Sequence, residues 1–153
     1  MTSQCPECGA EWPETFTCRE LFYQLLFWEN EDTVLGEVHH LMVLCFHLQH
    51  PSLYSHEGLA AGREILRDFV ELGKSPHQVR LASRRRVDSA NRSWSITARL
   101  DNQGAWGIPI TWPMTVAEIV AGEMEAYQEN VVLWANSIHY TLSMNSPAPD
   151  TKM

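Results

Sequence analysis

The feature that most constrains this chain is the run Cys5-Pro6-Glu7-Cys8-Gly9-Ala10, with a third cysteine following at Cys18. Two thiolates in a C-x2-C turn can both reach one Zn2+ at about 2.3 Å, and glycine after the second cysteine suits the tight turn. A thioredoxin-like redox motif needs a strand before the first cysteine and a βαβ pattern after it, and the sequence shows neither. Thr17-Cys18-Arg19-Glu20 reads as a capping box, with Thr17 as N-cap and Glu20 at N3. Cys18 then stands at a helix N-terminus, where the dipole favours thiolate. The three cysteines therefore predict a zinc knuckle tied to the start of the first helix.

Composition narrows the setting. The 153 residues suffice for one domain with its own core. Nineteen acidic against eleven basic residues give a net charge of -8, which argues against a general nucleic-acid binder. No apolar run approaches the roughly 18 residues of a membrane span. Met1-Thr2-Ser3-Gln4 carries no basic stretch or apolar core of a secretory leader. With reduced cysteines, this makes the cytoplasm the expected location. One domain over 1–145 is expected, with the proline-rich residues 146–153 as a disordered tail.

The hydrophobic spacing predicts a mainly α fold. A first helix over about 18–29 carries Leu21, Phe22, Leu25, Leu26 and Trp28 at spacings of three and four. A second, over about 34–49, is apolar on nearly all sides and therefore central. Pro51 forces residue 50 out of helical geometry and ends it. A third runs over about 56–72, with Ser55 as N-cap and Gly73 as stop. Ser75-Pro76 starts a short helix to about Arg86. Residues 92–100 alternate, with Trp94, Ile96, Ala98 and Leu100 on one face, and predict a strand or one arm of a hairpin closed at 101–104. Thr115-Val116-Ala117-Glu118 is a second capping box. Beyond it Val116, Val120, Met124, Tyr127, Val131, Trp134, Ile138 and Leu142 predict one helix of about seven turns. The expected architecture is a bundle of about four helices with an N-terminal zinc knuckle and a small irregular or β extension.

A fourth ligand must complete the knuckle. The first two helices are joined by a short connection and are expected to be antiparallel, so Cys18 faces the stretch from Cys45 to His50. His50, at the exit of the second helix, is the preferred ligand. His47 and Cys45 are the alternatives, although Cys45 sits in the apolar run from Met42 to Phe46, where a free cysteine serves as a small hydrophobe. A closed set of three cysteines and one histidine is structural, because no position is left for water.

These residues carry a resemblance. Cys5-Pro6-x-Cys8-Gly9-Ala10, Cys18, then His39-x-Leu41-x-Val43-x-x-Phe46-x-x-Gln49-His50-Pro51 resembles an uncharacterised bacterial family of small domains of unknown function, over roughly residues 5–75. The positions matching His39 and Gln49-His50-Pro51 belong to that signature, and the one matching His47 does not, which favours His50. The chain departs from the pattern at His40, where the family often has arginine, and at Leu44, where it often has aspartate. The resemblance implies a fold type and no reaction.

Other candidates lie outside the knuckle. His39 is about eleven residues before His50, or some 16 Å along a helix, so the two cannot share a metal. It is expected to be a hydrogen-bonded core histidine. The functional alternative is a second site of His39 or His40 with Glu37 and with Glu123 or Glu125. Arg80, Arg84, Arg85, Arg86, Arg92 and Arg99 crowd into twenty residues. A solvated face paired with the chain's own carboxylates would explain them. An anionic ligand or acidic protein partner at Arg80, Arg84 and Arg85 is the functional alternative. Trp12, Trp94, Trp106 and Trp112 are expected as core pieces or as a pocket lining. No nucleophile-elbow, P-loop or dinucleotide motif is present in the sequence.

The sequence thus supports a cytoplasmic, zinc-stapled helical domain acting as a binding or regulatory module. The runner-up is a metal-dependent enzyme similar in outline to the DinB-like helical-bundle thiol transferases. That reading would need a histidine triad across helices, and His39, His47 and His139 form no recognisable one.

Overall fold

A computed structural model describes residues 2–13, 17–87 and 103–145. The chain starts with a two-stranded antiparallel sheet, β1 (Thr2–Gln4) and β2 (Glu11–Pro13), in register from Thr2↔Pro13 to Gln4↔Glu11. Residues 5–10 form the loop at its tip. Six helices follow: α1 (Cys18–Glu31), α2 (His39–Gln49), α3 (His56–Glu71), α4 (Pro76–Val87), α5 (Val116–Ala121) and α6 (Tyr127–Asn145). The fold is mainly helical, and the knuckle sits at the N-terminus as the cysteine spacing predicts. The described β structure flanks the knuckle, where the sequence suggested only a loop. The predicted strand at 92–100 lies outside the described residues, as does the tail at 146–153.

Helix α2 lies at the centre and packs against α3, α4 and α6. Leu41, Met42, Leu44, Cys45, Phe46, Leu48 and Gln49 are all buried, so its burial runs around the whole helix. Each fully buried Leu or Met contributes roughly 1.5–3 kcal/mol of hydrophobic stabilisation. One cluster of buried side chains joins Cys5, Cys8, Ala10 and Cys18 of the knuckle to Leu25, the α2 residues, Leu66, Val116, Tyr127, Trp134 and Ile138. Trp112 is buried within it, and Trp12 and Trp106 pack against it. Trp94 lies outside the described residues.

The expected caps form, although at Thr17 only one half of the expected box is made. The Thr17 side chain accepts from the Glu20 amide at the start of α1. Ser55 caps α3 through the Gly58 amide at 2.9 Å. Each such cap is worth about 1 kcal/mol. Thr115 and Glu118 form the reciprocal box at α5.

Two helices differ from their predicted form. The second begins as a 3-10 segment, Thr33–Val38, capped by the Asp32 side chain on the Val34 amide, and becomes α-helical only at His39. The long C-terminal helix is broken. α5 stops at Gly122, a 3-10 turn spans Met124–Ala126, and α6 starts at Tyr127. Glu123 carries φ 62° and ψ 179°, a conformation incompatible with helix. The apolar spacing runs on through this break, so periodicity concealed the stop signal that Gly122 supplies.

Candidate metal centre

The knuckle is built by backbone geometry first. The Cys5 amide donates to the Ala10 carbonyl at 3.0 Å, and the Gly9 amide donates to the Cys5 carbonyl at 2.9 Å. Gly9 adopts φ 79°, which a side chain would strain. This tight loop turns amides onto sulfur: Cys8 N–H lies 3.5 Å from Cys5 Sγ, and Ala10 N–H lies 3.4 Å from Cys8 Sγ. Such contacts favour the thiolate form.

Cys18 arrives as the first residue of α1, and His50 as the residue that ends α2. Pro51 keeps His50 out of the helix, at φ -127° and ψ 67°, and starts the 3-10 turn Pro51–Leu53. One ligand atom from each of Cys5, Cys8, Cys18 and His50 lies within 4.8 Å of the others. Cys8 Sγ and Cys18 Sγ are 3.3 Å apart, and Cys5 Sγ is 3.5 Å from His50 Nε2. All four residues are buried, with relative exposures of 8, 1, 7 and 5%. This buried group could hold a metal ion.

Cys5 and Cys18 are shifted in opposite directions. Contacts with Cys18 and Cys8 pull the Cys5 thiol below its usual value. Contacts with Cys5 and Cys8 push the Cys18 thiol above it. An ionised Cys5 sulfur disfavours ionisation of Cys18, as expected for like charges in one small buried space. A divalent cation removes that conflict.

The surroundings orient these side chains. His50 Nδ1 donates to the Phe46 carbonyl at 2.6 Å, which leaves the Nε2 lone pair directed at the cysteines. The Phe46 ring stacks on His50 with centroids 4.1 Å apart. Glu7, the second variable position of the C-x2-C loop, accepts from the Ser52 amide at 3.1 Å and from its hydroxyl at 2.8 Å. Glu7 thus ties the loop to the turn just after His50. Sequence reasoning missed it, since nothing in the spacing pairs residues 7 and 52. Gln49 is fully buried and donates to the Met114 carbonyl at 2.7 Å, while Trp106 Nε1 donates to the Leu48 carbonyl at 2.8 Å. Gln49-His50-Pro51 is therefore a junction: one residue holds the segment before α5, and the next faces the knuckle.

The alternative ligands stand elsewhere. Cys45 is completely buried, and burial pushes its thiol well above the usual range. His47 packs edge-on against Tyr54 with centroids 4.8 Å apart, and burial lowers it to about 4. Among the described residues no second group gathers three such ligands. His39, His47 and His139 do not meet, and His139 instead pairs with Glu71 at 2.7 Å.

His39 has a different partner from those the sequence suggested. Its Nδ1 lies 2.6 Å from Glu29 Oε1, and the buried Tyr127 hydroxyl donates to Glu29 Oε2. The Glu29 contact holds His39 above its usual value, against the opposing effect of burial. Glu37 lines a surface groove instead, and Glu123 sits in the break before α6. The arginines also divide. Arg80 lines that groove, while Arg85 lines a separate, smaller one with Asp68 and Lys74. No helix is long and apolar enough to cross a membrane among the described residues.

Comparison with curated proteins and with solved structures gives no match. A family model covers residues 3–143, which include the knuckle, the Gln49-His50-Pro51 junction and all six helices up to the last turn of α6. The chain belongs to the family of unknown function DUF5946.

Proposed function

We propose that Cys5, Cys8, Cys18 and His50 hold one zinc ion as a structural staple, and that residues 1–145 form a single domain acting as a binding or regulatory module. The observation that carries this reading is His50, whose Nδ1 is committed to the Phe46 carbonyl while Nε2 faces the cysteines. A tetrahedral zinc with sulfur at about 2.3 Å places its sulfurs ~3.8 Å apart. The Cys8 and Cys18 sulfurs, 3.3 Å apart, are about 0.5 Å closer than that, and Cys5 Sγ lies 3.5 Å from His50 Nε2. Three thiolates and one imidazole suit zinc over harder cations. Burial of all four ligands leaves no open coordination position, which favours a structural role over a catalytic one. Persistently reduced thiols suit a reducing compartment such as the cytoplasm.

Zinc here would join the β1–β2 loop, the start of α1 and the end of α2. The test is metal content after substitution. His50→Ala should lower bound zinc and destabilise the fold, whereas His47→Ala and Cys45→Ser should retain the metal. If His47→Ala or Cys45→Ser released zinc and His50→Ala did not, this ligand set would be wrong.

A further inference from the structure

The knuckle is built for a second chemistry besides metal binding. Its three cysteines, like Cys45, are free thiols. Cys8 Sγ and Cys18 Sγ lie 3.3 Å apart, inside the separation that two sulfurs on one tetrahedral zinc would keep. A disulfide bond is about 2.05 Å long, so closing one here needs an approach of only ~1.3 Å. Cys5 is engaged differently. Its sulfur faces His50 Nε2 at 3.5 Å and receives the Cys8 amide at 3.5 Å. A Cys5–Cys8 bond would have to form inside the tight turn that the Cys5–Ala10 and Gly9–Cys5 hydrogen bonds hold. Cys8 and Cys18 instead come from separate pieces of chain, the β1–β2 loop and the start of α1.

Access separates the thiols further. Cys8 and Cys45 are sealed, at 1 and 0% exposure, while Cys18 keeps an edge at 7%. Thr17 and Arg19 on either side of Cys18 are exposed, so an oxidant barely larger than water has a short path to its sulfur. Bound to zinc, Cys18 is a thiolate outright, and the thiolate is the form that attacks a peroxide. We infer that Cys8 and Cys18 are a redox-reactive pair, which a hydroperoxide joins as a disulfide, expelling the zinc and freeing the His50 end of α2 from the knuckle. This names a regulation of the proposed zinc staple and rests on that reading.

The chemistry balances with hydrogen peroxide as the oxidant. The Cys18 thiolate attacks one peroxide oxygen, the O–O bond breaks, and the products are Cys18 sulfenic acid and hydroxide. The Cys8 thiolate then attacks the sulfenic sulfur. The S–S bond forms, the S–O bond breaks, and a second hydroxide leaves. Two solvent protons convert both hydroxides to water. The two sulfurs lose two electrons and the peroxide gains them, while zinc keeps its charge throughout. Cys5 and His50 then remain, two ligands where tetrahedral zinc takes four, so the metal departs. The bridge keeps the loop fastened to α1, whereas the exit of α2 keeps its Glu7–Ser52 contacts and loses the metal.

The experiment adds one equivalent of hydrogen peroxide to the zinc-loaded full chain, beside a chromogenic chelator too weak to strip the zinc unaided. Remaining thiols are then alkylated and the bridge is mapped by mass spectrometry. Zinc should appear in step with the peroxide consumed. Alkylatable thiols should fall from four to two, with Cys5 and Cys45 labelled and Cys8 bridged to Cys18. A reducing dithiol with added zinc should restore the starting protein. Cys45→Ser should release zinc at an unchanged rate. Cys18→Ser should form no bridge, and the mapping on the unsubstituted chain stands whether or not that variant folds. Chain stripped of metal should give the same bridge, so metal content before oxidation reads the staple and the bridge reads this inference. A bridge to Cys5, a bridge between two chains, zinc that stays bound while peroxide is consumed, or four thiols that survive excess peroxide would each overturn it.

Discussion

The His50 imidazole donates to the Phe46 carbonyl one helical turn earlier, at 2.6 Å, and so faces Cys5 with its other nitrogen. The last turn of α2 thereby fixes both tautomer and direction of the ring before any ion binds. In the proposed site, a histidine placed this way would lose little freedom on binding the ion.

Glu7 extends the same arrangement to the loop. It receives both the amide and the hydroxyl of Ser52, immediately after the His50-Pro51 bend. Glu7→Ala should destabilise the protein by about 1–3 kcal/mol, since it removes two charge-assisted hydrogen bonds. Ser52→Ala should lose less, because its amide still reaches the carboxylate. Urea unfolding of the three proteins gives the order directly, and equal stability of Glu7→Ala and wild type would contradict the link.

The Tyr127–Glu29–His39 chain crosses three elements: Glu29 lies in α1, His39 starts α2, and Tyr127 starts α6. Tyr127→Phe should cost about 1–3 kcal/mol, because it leaves the buried Glu29 short of a donor. His39 adds a pH dependence. Its folded-state value is raised by Glu29, so its stabilisation is full below about pH 6.5, the ordinary histidine value. It is lost as pH rises through the raised folded value. The stability advantage of wild type over His39→Gln should therefore shrink as pH rises above about 6.5. An advantage that grows with pH would show that the imidazole is not held charged.

Much of the fold is legible because local chemistry and tertiary structure agree. Thr17, Ser55 and Thr115 cap the helices they were expected to cap, and Pro51 ends α2. The cysteine spacing and the antiparallel turn together point to the cluster that Cys5, Cys8, Cys18 and His50 form. Besides the Glu7–Ser52 link and the 3-10 start of the second helix, the sequence conceals three things. Strands of three residues are too short for an alternation pattern to register, so β1 and β2 are silent. The Glu29 network joins residues 10 and 98 positions apart, and no local pattern encodes such a pairing. The break at Gly122-Glu123 hides inside an unbroken apolar repeat.

That break supplies a further prediction. Glu123 is the one non-glycine residue at positive φ among the described residues, and its ψ of 179° lies in a region that suits only glycine. Such strain costs on the order of 1–3 kcal/mol. Glu123→Gly should therefore raise the thermal midpoint, although glycine's greater unfolded-state freedom offsets part of the gain. A midpoint that falls would mean that the Glu123 side chain contributes more than its backbone strain removes.

The zinc-to-protein ratio tests the central claim most directly. Elemental analysis of the full chain, purified without chelators and with all four cysteines reduced, should give one zinc per chain. Stripping it should lower stability, because structural zinc contributes folding free energy itself. Protein that is folded, fully reduced and free of zinc or any other metal would contradict the account.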